Sequence, residues 1–132
     1  MTTHADGTFK VEDWQEEEYG SLGDGRKLSR ASVRQAISGD IEGTGSVEWL
    51  MCYRPDETAE FVGLQQVEGR LGERSGSFVM RTSGTFDGAE ARGELSVVPG
   101  SGTGDLDGIS GSGEFSAPLG SEAHVSLDYE VG

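Results

Sequence analysis

Apolar and polar residues alternate along eight short segments of the chain, and glycine-rich turns separate these segments. Successive side chains of a β-strand point to opposite faces, so a period of two is typical of a half-buried strand. The clearest example runs from Ile41 to Arg54. The larger apolar side chains on one face of that segment are Ile41, Val47, Trp49, Met51 and Tyr53. No window repeats with the ~3.6-residue period of a helix, so no long helix is predicted.

The same pattern predicts eight strands, most of them joined as hairpins. Glycine, proline or a short acidic residue stands at the reversals, as in Asp87-Gly88 and Leu119-Gly120. Two connections are longer, a loop over Glu17–Arg26 and a segment over Gly100–Gly108 that could form a single helical turn. The predicted strands are His4–Glu16, Leu28–Gly39, Ile41–Arg54, Thr58–Arg70, Arg74–Phe86, Ala89–Val98, Ile109–Ala117 and Glu122–Val131.

Eight meandering strands can form two packed sheets or one closed barrel. The barrel is favoured, because closure removes the exposed sheet edges that invite aggregation. We therefore expect an all-β fold over residues 1–132, a single eight-stranded antiparallel up-and-down barrel. A barrel of this size is either filled by side chains or just wide enough for one small ligand.

Composition and charge exclude several classes of function. The formal net charge of −14 opposes binding to nucleic acid and to anionic membranes. The N-terminus lacks the apolar run of a signal peptide, and the single Cys52 has no internal disulfide partner, so a cytoplasmic protein is expected. The two histidines, His4 and His124, form no cluster with cysteine, and Gly100–Gly104 lacks the lysine of a phosphate-binding loop. No metal and no cofactor are expected.

The more apolar face of each strand predicts the lining of the barrel lumen. Polar groups share that face at Asp13, Gln35 and Gln65, and an unpaired Asp13 would be a general acid–base candidate. Glycines on the same face leave room for a ligand. The alternative is that the side chains simply fill the barrel. The candidate ligand-binding residues are Trp49, Met51, Tyr53, Phe61, Gln65, Phe78, Met80 and Tyr129.

The opposite face also carries apolar residues, which one barrel wall cannot cover. A large exposed apolar patch is unusual on a soluble monomer, and closed symmetric dimers are the commonest way to bury one. We therefore expect a homodimer, with Cys52 buried under a neighbouring element or subunit rather than acting as a nucleophile. The outer-face residues concerned are Leu50, Cys52, Val62, Leu64, Val79 and Val98.

Several runs of residues together resemble the bacterial domain-of-unknown-function family 3224. The resemblance implies an allene-oxide-cyclase-like eight-stranded barrel with an apolar cavity and no established activity, and it implies that the position of Gln65 is often a glutamate. The runs are Tyr53-Arg54-Pro55-Asp56, Phe61-Val62-Gly63-Leu64, Gly76-Ser77-Phe78-Val79, Gly84-Thr85-Phe86-Asp87-Gly88 and Val98-Pro99-Gly100-Ser101-Gly102-Thr103-Gly104.

Three functions fit such a barrel. It can bind a small hydrophobic metabolite and act on it as a cofactor-independent cyclase or isomerase, in which holding the substrate and polarising one oxygen atom supply catalysis. It can carry the same metabolite without chemistry. It can also be a filled barrel that serves oligomerisation. A cavity well below ~300 Å³ would favour the filled barrel. The sequence assigns no catalytic residue.

Overall fold

The computed structural model describes residues 2–118 and 122–132. These residues form nine β-strands and no helix, which confirms the all-β prediction. The predicted turn at Leu119-Gly120 lies outside them. The strands are β1 (Thr3–Gly23), β2 (Arg26–Gly39), β3 (Ile41–Tyr53), β4 (Ala59–Leu71), β5 (Arg74–Phe86), β6 (Glu90–Val97), β7 (Thr103–Gly104), β8 (Ser110–Pro118) and β9 (Ala123–Glu130).

Eight of these strands close into an antiparallel barrel, as predicted. Strands that are neighbours along the chain pair with each other, and β6 pairs with β8. The last strand, β9, pairs with β1 and closes the ring. The ninth strand, β7, is an addition. Its two residues pair with Gly76 and Ser77 of β5, beyond the part of β5 that pairs with β6. The ring is therefore closed, but β1 pairs with β9 only over Thr3–Phe9, so beyond Phe9 it has only β2 beside it.

One end of the barrel is filled by a packed apolar core. Its fully buried members include Phe9, Ile41 and Leu71, which come from three different strands. Leu106 and Ile109, from the segment after β7, are also buried and close this end. In that segment Leu106 N donates to Thr103 O and Asp107 N to Gly104 O, the i to i+3 spacing of a single 3₁₀-type turn, and no longer helix follows.

The prediction of a long loop over Glu17–Arg26 is wrong. β1 and β2 continue as a long hairpin that reverses at Gly23, Asp24 and Gly25, all of which have positive φ angles. Backbone pairing between two strands does not need an apolar face. The polar and acidic composition of this stretch therefore concealed a regular ladder that extends beyond the barrel wall.

A β-bulge in β1 changes which residues face the lumen. Val11 pairs with Gln35 and Asp13 with Arg34, so Glu12 has no partner in the ladder. An extra residue reverses the alternation after it. Asp13 consequently lies exposed on the outer face, and its predicted place in the lumen is wrong.

The outer wall carries the apolar residues expected from the sequence. Leu50, Val62 and Leu64 are each about half exposed, and Leu50 and Val62 lie directly opposite each other on β3 and β4. Cys52 is exposed in the single chain. The homodimer stays a prediction.

His4 joins the first and last strands through charged side chains. Its Nδ1 lies 2.8 Å from Asp128 Oδ1 on β9, and its Nε2 lies 3.0 Å from Asp6 Oδ1. Hydrogen bonds to Asp128 and Asp6, together with their negative charge, raise the pKa of His4 above its ordinary value of 6.5. All three side chains are exposed, so solvent weakens the interaction.

We expect a small pH-dependent contribution of His4 to stability. A raised pKa in the folded state means that the protonated form is favoured by folding, so the contribution is present below pH 6.5 and is lost as the pH rises through the folded-state value. Urea unfolding measures the free energy of unfolding of wild type and of His4→Gln. The wild type should exceed the variant by more at about pH 6 than at about pH 9. Asp128→Asn should reduce this difference. An equal effect of His4→Gln at both pH values would contradict the assignment.

Candidate functional site

The other half of the barrel is hollow. It holds a cavity of about 870 Å³ that opens at the end where the β3–β4 and β5–β6 turns lie. This volume is in the range of small-molecule sites and well above the ~300 Å³ below which a filled barrel would be favoured. The inner faces of eight strands contribute to its lining, and aromatic side chains are prominent among them.

The cavity brings together five of the eight residues predicted from the sequence, and these are Trp49, Met51, Tyr53, Phe61 and Gln65. The other three, Phe78, Met80 and Tyr129, face inward but belong to the packed core at the closed end. Alternation indicates the face on which a side chain lies and not its height along the barrel axis. The predicted single continuous lumen is therefore divided into a filled half and a hollow half.

Three aromatic rings meet across the cavity and form an aromatic wall inside it. Trp49 and Phe61 meet edge to face with ring centroids 5.1 Å apart, and Phe115 lies 5.9 Å from Phe61 and 6.4 Å from Trp49. Such tilted and edge-to-face contacts are the favoured geometries of aromatic pairs. The rings come from β3, β4 and β8. Because β3 and β8 lie on opposite sides of the ring of eight strands, this aromatic wall crosses the interior and gives the site an apolar surface.

Two glycines let Trp49 and Phe115 approach the barrel backbone closely. A Cβ atom on Gly63 would stand 2.5 Å from Cε3 of Trp49, and one on Gly93 would stand 2.7 Å from Cε1 of Phe115. The alternation predicts that lumen glycines leave room for a ligand. At these two positions the room is already taken by the aromatic wall, and the cavity is the space that remains.

Gly63→Ala should destabilise the protein by ~1–3 kcal/mol, because the new methyl group would overlap Trp49 and the backbone oxygen of Glu48. The matched control is Gly20→Ala in β1, where a Cβ would meet only ordinary contacts with Leu28. Chemical unfolding of both variants tests this expectation. A Gly63→Ala protein as stable as the Gly20→Ala control would contradict the described packing of Trp49.

Polar groups occupy the inner part of the cavity. Gln35 and Gln65 are both nearly fully buried, and the side-chain amide of Gln65 donates a hydrogen bond to that of Gln35. Thr82, on the neighbouring strand β5, is 1% exposed, and its Oγ1 has no hydrogen-bond partner among residues 2–118 and 122–132. Buried polar groups are usually paired, so an unpaired hydroxyl beside a cavity is notable.

A carboxylate lies beside the mouth of the cavity. The bulge at Glu12 turns Glu16 toward the inner face, where it accepts hydrogen bonds from Ser29 Oγ at 2.8 Å, Tyr53 Oη at 2.9 Å and Trp14 Nε1 at 3.0 Å. Glu16 is not among the predicted site residues, because in the sequence it belongs to an acidic run that is typical of a solvated loop. No sequence feature indicated the bulge that reorients it.

Comparison with known proteins identifies the family. The family model described as "Protein of unknown function (DUF3224)" matches residues 5–129. The chain belongs to this family. It is similar to the crystal structure, at 1.84 Å resolution, of a DUF3224 protein of unknown function from Shewanella oneidensis MR-1. The two are 26% identical, the match covers 100% of this chain and 99% of that one, and the TM-score is 0.78. No curated protein matches the chain.

The described part of this DUF3224 barrel contains neither of two further features, a metal-binding cluster and a membrane-spanning helix. No three His, Cys, Asp or Glu side chains there are grouped so that they could hold a metal ion. The described strands and turns also include no helix that is long and apolar enough to cross a membrane.

The Glu16 and Tyr53 side chains influence each other's protonation. Burial opposes the charge on Glu16, but the hydrogen bonds from Ser29, Tyr53 and Trp14 and the nearby Lys27 outweigh it and lower the pKa of Glu16. Burial, followed by the hydrogen bond to Glu16 and its charge, raises the pKa of Tyr53 to about 12. Lys27 Nζ lies 4.8 Å from the centre of the Tyr53 ring. At neutral pH the mouth of the cavity thus holds a carboxylate and a protonated phenol.

The chain has three tyrosines, and we expect Tyr53 to ionise at about pH 12 in an alkaline titration followed by ultraviolet absorbance. Tyr53→Phe should remove this last ionisation step, at about pH 12. Glu16→Gln should lower its midpoint only partly, because burial is the larger cause and remains. Tyr19→Phe, which alters an exposed tyrosine, serves as the control. A late step that persists in Tyr53→Phe would contradict the assignment, provided that circular dichroism shows the barrel still folded.

Proposed function

We propose that the hollow half of the barrel binds a small hydrophobic molecule. The observation that carries the proposal is the cavity itself, about 870 Å³ in volume, with an aromatic wall and a few buried polar groups. Ligand sites typically combine a mostly apolar lining with a small number of placed polar groups that fix orientation. The volume also exceeds the ~300 Å³ below which a filled structural barrel would be favoured.

The mouth supports a second candidate, a cofactor-independent cyclase or isomerase that acts on the bound molecule. Tyr53 lines the cavity, and Glu16 fixes its hydroxyl by a 2.9 Å hydrogen bond. A positioned hydroxyl beside a carboxylate can hold or move a proton on a substrate that is confined by the aromatic wall. The resemblance to allene-oxide-cyclase-like barrels favours this candidate by analogy of fold alone. Non-catalytic carriage of the ligand needs only the cavity, and it is the function that the geometry supports best.

Ligand binding can be tested with Nile red, an uncharged apolar dye. Adding wild-type protein should increase the fluorescence of Nile red, and the increase should saturate as expected for one binding site. Ala91→Phe places a large side chain at a position that lines the cavity and should weaken binding by about ten-fold, or ~1.4 kcal/mol. Ala89→Phe makes the same change at an exposed turn and should bind as the wild type does.

The outcomes separate binding in the lumen from binding elsewhere. Equal weakening by Ala91→Phe and Ala89→Phe, or saturation unaffected by both, would place the dye outside the cavity and overturn the proposal. Native mass spectrometry of protein purified from its own host adds an independent test, in which we expect a co-purifying apolar metabolite.

A further inference from the structure

We propose that the inner end of the cavity recognises the carbonyl oxygen of an uncharged carbonyl compound, with Gln35, Gln65 and Thr82 as the recognising residues. This inference rests on the proposed binding function and specifies the ligand class. It follows from the number of hydrogen-bond donors and acceptors at the inner end, and from the absence of charged side chains among the described residues there.

The paired amides present more donors than acceptors. Each glutamine amide has two N–H donors and one carbonyl oxygen, which gives four donors for the pair. Their mutual hydrogen bond uses one donor, so three N–H groups remain against two oxygens, one of which is already engaged. This count is the same whichever amide donates. Within residues 2–118 and 122–132 the side chains of Gln35 and Gln65 make no other hydrogen bond, and both line the cavity.

Thr82 adds another donor on the same face. Thr82 on β5 pairs with Gly63 on β4, and Gly63 is the inward position next to Gln65 on the same strand. The side chains of Thr82 and Gln65 are therefore diagonal neighbours on the inner face. The Thr82 hydroxyl is buried and has no partner in the described chain. An unpaired buried hydroxyl is costly, and an acceptor supplied by a ligand would remove that cost.

The acidic, basic and histidine side chains that line the cavity are solvent-exposed. Lys10, Glu122 and His124 line the cavity but are exposed, whereas the inner end contributes only neutral polar groups in the described chain. A carboxylate there would lose its hydration without meeting a cation. A pure hydrocarbon would leave the remaining N–H groups unsatisfied. A neutral carbonyl compound avoids both penalties.

The test compares tetralin, its ketone α-tetralone and the anion naphthoate as matched bicyclic probes. Binding is followed by NMR through the indole N–H signals of Trp14 and Trp49, which both line the cavity. We expect wild-type protein to bind the ketone about ten-fold more tightly than the hydrocarbon, the effect of a net hydrogen bond of ordinary strength, and to bind naphthoate more weakly than the ketone.

Three variants assign this preference to the named residues. Thr82→Val keeps the shape of the side chain and removes the hydroxyl. Gln65→Met and the double variant Gln35→Met with Gln65→Met remove N–H donors while keeping similar volume. The ketone preference should fall in each single variant and be nearly absent in the double variant, while tetralin binding is unchanged or tighter. The single variants keep the test valid if the double variant fails to fold.

Each outcome bears on one of the two proposals. Equal binding of tetralin and its ketone to wild type, a ketone preference that survives in Thr82→Val and Gln65→Met, or tighter binding of naphthoate would overturn the carbonyl inference. Each of these results would leave the lumen-binding proposal standing. Failure of all three probes and of Nile red to bind wild-type protein would overturn both.

Discussion

The pairing of β1 with β9 is the constraint on which the hollow site depends. Seven consecutive residue pairs, from Thr3 with Tyr129 to Phe9 with Ala123, join the first strand to the last and close the ring. Once eight strands are closed, the circumference of the barrel is fixed and the interior cannot collapse onto itself. The size of the inward side chains at each level along the barrel axis then decides whether the interior is packed or hollow at that level.

The distribution of side-chain volume along the barrel axis accordingly produces both the core and the cavity. At the closed end, Phe78, Met80 and Leu127 fill the interior, and each is almost completely buried. At the open end the aromatic rings occupy part of the interior, and small residues such as Ala59 and Ala91 leave the rest unfilled. The larger buried cluster thus lies at the closed end, while a smaller one around Val47 and Met51 supports one side of the unfilled space.

Alternation along the sequence predicted the barrel well, because the strands follow a period of two and glycines mark most reversals. It predicted the inner face of β3 without error over Ile41–Tyr53. It could not reveal the bulge at Glu12, which depends on pairing with a distant strand and moves Asp13 outward and Glu16 inward. It also could not give the height of a residue in the barrel, which depends on the register between strands. Three of the predicted site residues consequently belong to the core.

The polarity of the molecule changes from its surface to the inner end of the cavity, and this gradient favours neutral ligands. The chain carries a formal net charge of −14, which lowers the local concentration of anions near the mouth. At the mouth, Glu16 adds a carboxylate whose charge is held by three hydrogen bonds. Beyond it the aromatic wall offers only apolar contact, and at the inner end the Gln35–Gln65 pair offers neutral donors. A molecule that passes each of these regions without penalty is uncharged, largely apolar and able to accept a hydrogen bond.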